Sequence, residues 1–298
     1  MFDTVRTLDC AGRLLRLDRP QVMGIVNVTP DSFSDGGQHA SVEAAVAHGL
    51  RLVEEGADLL DVGGESTRPG AEAVDEATEL ARVLPVIERL VAKTSVPISV
   101  DTTKPGVMRA ALAAGAGMVN DVMALRLEGA LDAVAASKAA VVLMHMQGEP
   151  RTMQAAPAYD DVVGEVHRFL AERVFACEMA GIDKRRIVVD PGFGFGKALE
   201  HNMALLAQLN RFTELGVPVL AGLSRKSSLG QITGRGVDER VAASVAAHLV
   251  AVQNGALFVR VHDVAATVDA LKVWQAVAAV PVPKGKPAAS TIRWPDEE

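Results

Sequence analysis

Several residues able to hold a polar small molecule stand at the ends of short apolar runs in this chain. Asp101 follows Ile98-Ser-Val, Asn120 and Asp121 follow Met118-Val, and Asp190 follows Ile187-Val-Val. Lys226 closes Ser224-Arg-Lys after Val219-Leu-Ala-Gly-Leu. A carboxylate can accept two N–H bonds from a guanidine-like edge, an amide both donates and accepts, and an ammonium donates to a ring carbonyl or nitrogen. Asp101, Asn120, Asp190 and Lys226 therefore suit a planar heterocycle with an amino-substituted ring beside an amide carbonyl. A second group is Asn27, after Val22-Met-Gly-Ile-Val, with Arg260 and His262, after Leu257-Phe-Val. Two basic side chains two residues apart on a strand share a face, which suits an anion such as a phosphate. Asn27 offers an oxygen to Mg2+, a hard cation that prefers oxygen ligands and phosphates. Plainer roles stay open: strand-end Asp and Asn can cap helices or turns, and Arg260 can pair with an acid such as Asp263.

Other motifs fail their tests. Gly192-Phe-Gly-Phe-Gly-Lys197 resembles a phosphate loop, but Ala198 stands where a Walker motif needs Ser or Thr, and the glycine spacing misses the dinucleotide fingerprint. Gly222-Leu-Ser-Arg-Lys226 is no nucleophile elbow, because Lys226 occupies the second glycine position. The histidines have no HExxH spacing, so a structural metal is not expected. The glycines after Asp190 let the backbone approach a ligand, on which Phe195 could stack. Met144 and Phe33 suit core or loop packing equally well.

The elements that would position these groups alternate strictly. Eight apolar runs, the remaining ones being Leu59-Leu-Asp-Val and Val141-Val-Leu-Met into His145, are separated by helical patterns. Those patterns cover residues 42–55 (with Ser41 as N-cap), 75–93, 105–114, 129–137, 160–180, 200–215, 239–254 and 265–279. Strands apolar on both faces with helix-length spacers predict parallel βαβ units. The fold class is α/β, a TIM (β/α)8 barrel, with an open doubly wound sheet as the alternative. A barrel gathers its strand ends on one face, where active sites sit. Residues 4–8 and 13–17 predict a short N-terminal β-hairpin closing the amino-terminal end. Residues 28–40 and 63–74, rich in Gly, Ser, Thr, Asp and Pro, read as binding loops or lids. The barrel is expected over 1–280, with 281–298 a Pro-rich tail, disordered or wrapped on the surface.

Composition narrows the function. At 298 residues, 49% hydrophobic and 4% aromatic, the chain fits one aliphatic barrel. A net charge of −7 argues against a general nucleic-acid or anionic-membrane binder. Two unpaired cysteines, no signal-like start and no span-length apolar stretch point to a cytoplasmic protein.

Taken together, the segments resemble the dihydropteroate synthase family along nearly the whole chain. The resemblance rests on Met23-Gly-Ile-Val-Asn-Val-Thr-Pro-Asp-Ser-Phe-Ser-Asp-Gly37 and Asp61-Val-Gly-Gly-Glu-Ser-Thr-Arg-Pro-Gly70. It continues through Ser99-Val-Asp-Thr102, Val119-Asn-Asp121, Leu143-Met-His-Met-Gln-Gly148, Asp190 to Lys197, Gly222 to Ser227 and Val259 to Asp263. It implies a folate-pathway transferase that joins 6-hydroxymethyl-7,8-dihydropterin diphosphate to p-aminobenzoate, releasing pyrophosphate, by a dissociative SN1-like route. It further implies that Asp101, Asn120, Met144, Asp190, Phe195, Gly222 and Lys226 hold the pterin. Asn27, Thr67, Arg68, Arg260 and His262 would hold the diphosphate, with Asn27 on Mg2+. Phe33, Ser34, Thr67, Pro69, Lys226 and Ser227 would form the p-aminobenzoate pocket, where sulfonamides bind in the family. Asp35, Thr67, Arg68, Lys226 and Arg260 would serve catalysis. Alternatives are a pterin-binding methyltransferase, which should lack the loops at 29–37 and 66–70, and a non-catalytic pterin-binding paralogue. The helix over 239–254, apolar on more than one face, suggests a homodimer.

Overall fold

The computed structural model describes residues 7–28, 37–66, 73–148, 153 and 157–280, with only the backbone described for 37–40. Eight parallel strands surround one axis. They are β3 (Gln21–Asn27), β4 (Leu59–Gly63), β5 (Ile98–Asp101), β6 (Met118–Asp121), β7 (Ala140–Met144), β8 (Ile187–Asp190), β9 (Leu220–Ala221) and β10 (Phe258–Val261). Their order is β8-β7-β6-β5-β4-β3-β10-β9, and a parallel bridge from Val189 to Val219 joins the two ends. That bridge makes the sheet a nearly closed barrel and removes the open-sheet alternative. Helices α1 (Gly37–Glu54), α2 (Glu76–Lys93), α3 (Pro105–Ala113), α4 (Ala130–Ala135), α5 (Val162–Met179), α6 (Leu199–Ala207), α7 (Ser227–Thr233), α8 (Val241–Gln253) and α9 (Val264–Ala278) alternate with the strands.

Side chains alternate across a strand, so the barrel sorts each apolar run into two cores. Val22, Val26, Leu60, Val62, Val100, Val119, Val141, Val189 and Val259 face outward into the core shared with the helices. Met23, Leu59, Met118, Ala140, Val142, Val188, Leu220 and Phe258 face inward. The inward core is sealed from below by the antiparallel hairpin of β1 (Thr7–Cys10) and β2 (Arg13–Arg16), through Leu8, Cys10 and Leu15. Arg13 anchors the hairpin by donating to the carbonyls of Val96 and Val91. The approach is so close that a Cβ on Gly117 would lie 2.4 Å from the Cys10 carbonyl oxygen. With its floor closed, the barrel opens, among the described residues, at the strand C-terminal ends.

The elements depart from the sequence expectations in a few places, each with a local cause. The 42–55 helix begins at Gly37, so Ser41 lies within it. The 129–137 helix stops at Ala135, where Ser137 Oγ donates to the Val134 carbonyl. The 200–215 helix ends at Ala207; Asn254 Nδ2 takes the Leu206 carbonyl, and the chain continues as 3-10 turns over Leu209–Leu215. The seventh apolar run, 219–223, forms only a two-residue strand, because the Leu223 N–H turns to His248 Nε2 instead of a neighbouring strand. α7 is a helix the sequence reading did not anticipate. The tail 281–298 lies outside the described residues. Both thiols, Cys10 and Cys177, are free and buried, and burial pushes them up to about 12 and about 11. Among the described residues no helix is long and apolar enough to cross a membrane.

Candidate active site

The mouth of the barrel is organised by a buried charge cluster. Arg260 on β10 donates from Nε to Asp61 Oδ2 at 2.6 Å and from Nη2 to Asp101 Oδ2 at 2.7 Å. Asn120 on β6 donates from Nδ2 to the same Asp61 oxygen at 2.9 Å. Asp61 is fully buried, and its Oδ1 has no hydrogen-bond partner among the described residues. Burial pushes Asp101 up to about 7, against the pull of Arg260 and helped by Asp61. The two carboxylates in turn raise Arg260 despite its burial. Arg260 thus does pair with acids, the plainer role left open for it, but with Asp61 and Asp101 instead of Asp263, which Arg225 takes through two hydrogen bonds.

Asp190 and the glycine loop form the second wall. Asp190 lies opposite Met144 in register and accepts the Gly192 N–H at 2.7 Å. Burial raises Asp190 to about 6, while Gly192, Lys226, Lys197 and Arg260 pull the other way. Gly192, Gly194 and Gly196 all have positive φ. A Cβ at Gly192 would lie 1.9 Å from the His145 carbonyl oxygen, so this turn requires glycine there. Gly222 sits where a Cβ would be 3.7 Å from Asp190 Oδ2, leaving the carboxylate a smooth neighbour. Phe195, expected to face a ligand, carries the Lys226 ammonium 4.1 Å above its ring. Phe195, Met144, Met146, Met153 and Val122 form a small separate apolar cluster beneath.

Asn27 and His262 line one cavity of about 510 Å3 with His48 and Arg51 of α1. Ser224 Oγ lies 2.9 Å from His262 Nδ1 and accepts the His262 backbone N–H at 3.1 Å. Asn27 lies level with Gly63, Asp101 and Asn120 around the rim. Ser227, exposed, opens α7, and Lys226 precedes it as the N-cap. The stem of the second loop is fixed: Lys104 bridges Glu65 and buried Glu79, and Arg82 donates to the Gly64 carbonyl.

Asp101, Asn120, Met144, Asp190, Phe195, Gly222, Lys226 and Arg260 thus gather at one mouth, with Asn27 and His262 at its side. Phe33, Ser34, Asp35, Thr67, Arg68 and Pro69 lie outside the described residues. Sequence reasoning gave no site role to Asp61 or Lys197. Asp61 lay inside an apolar run, and the signal was a carboxylate at an inward-facing strand position. Lys197 and His145 are joined only in space, by a 2.9 Å contact between Lys197 Nζ and His145 Nδ1.

Comparison with known proteins fits this arrangement. The profile of the family described as pterin binding enzyme matches residues 23–262. Dihydropteroate synthase of Escherichia coli K12 is 51% identical over 265 residues, covering 89% of this chain and 94% of that protein. The Xanthomonas albilineans dihydropteroate synthase structure with 4-aminobenzoic acid is 72% identical, with a TM-score of 0.89 over 93% of this chain and 100% of that one. The same enzyme in complex with 7,8-dihydropteroate matches at 70% identity and a TM-score of 0.85, over 92% of this chain and 100% of that one. A Yersinia pestis dihydropteroate synthase in a sulfonamide complex matches at 47% and 0.88, over 92% and 100%. The chain therefore belongs to the pterin-binding enzymes and, within them, to the dihydropteroate synthase family. It is a transferase of the folate pathway.

The raised carboxyls carry a pH signature. Asp190 rises from an ordinary 3.8 to about 6, so the ligand-free fold holds this proton more tightly than the unfolded chain does. Its contribution to stability is full below about pH 4 and is lost as pH rises through about 6. The stability of wild type minus that of Asp190→Asn, from urea melts, should fall between pH 4 and 6.5. A difference that is flat or rising across that window contradicts the burial assignment.

Proposed function

We propose that this chain condenses 6-hydroxymethyl-7,8-dihydropterin diphosphate with p-aminobenzoate, giving 7,8-dihydropteroate and pyrophosphate, in the cytoplasm. The observation that supports this most is the inward set Asp101, Asn120, Asp190 and Lys226 at the same barrel mouth as Asn27, Arg260 and His262. In a chain so similar to enzymes crystallised with 4-aminobenzoic acid and with 7,8-dihydropteroate, the two groups match the two halves of one substrate.

In this reading Asp190 takes the N–H edge of the pterin, and Asn120 and Asp101 complete the hydrogen-bonding rim. Lys226 donates to the ring from above Phe195, while Met144 and Gly222 line the flat faces. Arg260, steadied through its Nε by Asp61, and His262, oriented by Ser224, hold the diphosphate together with Thr67 and Arg68. Phe33, Ser34, Thr67, Pro69, Lys226 and Ser227 form the p-aminobenzoate pocket, which is also where a sulfonamide would compete. Asp35 would serve catalysis beside them.

The donor set fits Mg2+ in one respect. Asn27 contributes one neutral oxygen, and among the described residues no cluster of three or more His, Cys, Asp or Glu forms a protein cage. That suits a cation held mainly through the substrate's phosphates. When bound, Mg2+ would supply neutralisation of charge on the leaving diphosphate.

The chemistry needs no protein nucleophile, because the aromatic amine attacks. We favour a dissociative route in which the dihydropterin ring stabilises positive charge on its methylene as pyrophosphate departs. The protein acts chiefly by positioning, worth up to about 7–11 kcal/mol, and by holding charge on the leaving group. Closure of the loops would exclude water that could capture the cation. The exposed apolar residues Ile232, Val237 and Val250 on and beside α7 and α8 support a homodimer.

An assay of pyrophosphate release should require both substrates; release with either alone would remove the condensation reading. Asp190→Asn should weaken pterin binding by about 1.5–3 kcal/mol in calorimetry, the scale of a charged hydrogen bond. Thr67→Ala should leave that affinity nearly intact and lower turnover, and the reverse pattern would exchange the two assignments. Turnover across a series of ring-substituted anilines should be nearly independent of amine basicity; a steep dependence rules out the dissociative route. Light scattering at micromolar concentration should give twice the chain mass, and a monomer there removes the dimer.

A further inference from the structure

Lys197 ends the loop that resembles a phosphate-binding motif, yet its ammonium is buried within the protein. It is 2% exposed, and its Nζ meets three acceptors: His145 Nδ1 at 2.9 Å, the Phe195 carbonyl at 3.0 Å and the His145 carbonyl at 3.3 Å. Three acceptors match the three N–H donors of an ammonium; a neutral amine would set its lone pair against one of them. His145 accepts there as a neutral ring, since burial and Lys197 push it down to about 3. The ring is itself wedged edge-on against Phe169.

The segments that Lys197 joins are the ones that carry the pterin wall. Tyr159 donates to the Gly196 carbonyl, and Asn202 accepts the Gly194 N–H and donates to the Lys197 carbonyl. The loop is thus wired at nearly every turn, and the one charge buried within it is that of Lys197. The charged groups acting on Asp190 are Lys226 from the segment before α7, Arg260 from β10 and Lys197 from the loop itself. Those acting on Lys197 are Asp190 and Lys226, with Arg126 behind His145.

We infer that Lys197 is a positioning residue for the pterin pocket: a buried ammonium that ties the segment after β7 to the glycine loop after β8 and keeps positive charge behind Asp190. Its role is electrostatic as well as structural, because Asp190 can accept two pterin N–H bonds only as a carboxylate. Burial lowers Lys197 to about 7, so it is charged in the range where Asp190 titrates. The inference rests on the assignment of Asp190 to the pterin.

The test is the pH dependence of binding of 6-hydroxymethyl-7,8-dihydropterin, by calorimetry between pH 5.5 and 8. Wild type should lose affinity as pH falls through about 6. In Lys197→Met the midpoint should move up by about one pH unit, with most of the wild-type affinity recovered at pH 8. A loss that is the same at every pH, with the midpoint unmoved, would show a purely structural role and overturn the inference. Lys197→Gln, which keeps two donors without the charge, should show the same shift if Lys197→Met does not fold. In the wild-type protein, the Lys197 side-chain nitrogen should resonate as an ammonium at pH 6; a neutral amine there overturns the inference whatever the variants do. If Asp190→Asn keeps full pterin affinity, it is the underlying assignment that fails.

Discussion

A guanidinium held between two carboxylates is the interaction around which this barrel mouth is built. Asp61 is fully buried, so removing Arg260 would strand its charge out of water, a cost of about 3–5 kcal/mol for a buried pair. Arg260, Asp61 and Asp101 therefore fix one another. They sit on three different strands, and Asn120 adds a fourth through its bond to Asp61. Strand register and charge geometry are in this way one constraint. The rigid part of the site needs no loop to define it.

The barrel makes that cluster possible by segregating its apolar side chains. Inward residues below the cluster, from Met23 to Phe258, exclude water, and the hairpin closes the lower end. The cluster and Asp190 lie above this plug and near the rim, buried enough to raise Asp101 and Asp190 towards neutrality. Carboxyls that ionise near neutral pH are poised to bind donors strongly when a ligand supplies them. The same burial that is a cost to the empty fold sharpens recognition of a ring edge bearing N–H groups.

Much of this was legible in the sequence, for a physical reason. Parallel barrel strands are apolar on both faces except near the C-terminal end, so a polar residue ending an apolar run marks the rim. Asp101, Asn120, Asp190 and Arg260 were found by that signature, and all reach the mouth. Asp61 escaped it because it lies between Leu60 and Val62, one inward position below the rim. α7 escaped because seven residues interrupted by Gly230 have too short a period to register. The two-residue β9 was overestimated, since nothing local records that the Leu223 N–H is claimed by His248 twenty-five positions away. Partnerships across the fold, such as Arg225 with Asp263, leave no trace in local pattern.

Phe195 shows how an apolar residue can organise charge. Its ring face carries the Lys226 ammonium, and its carbonyl accepts a hydrogen bond from Lys197. The quadrupole of the ring attracts the first cation without neutralising it, and the carbonyl dipole does the same for the second. Both lysines thus stand within range of Asp190, with no carboxylate at position 195 to offset their field. A residue placed by pattern as a stacking platform is here also a spacer between two cations. The glycines on either side follow from that duty: with positive φ at 194 and 196, the chain turns tightly enough to present ring and carbonyl to different lysines.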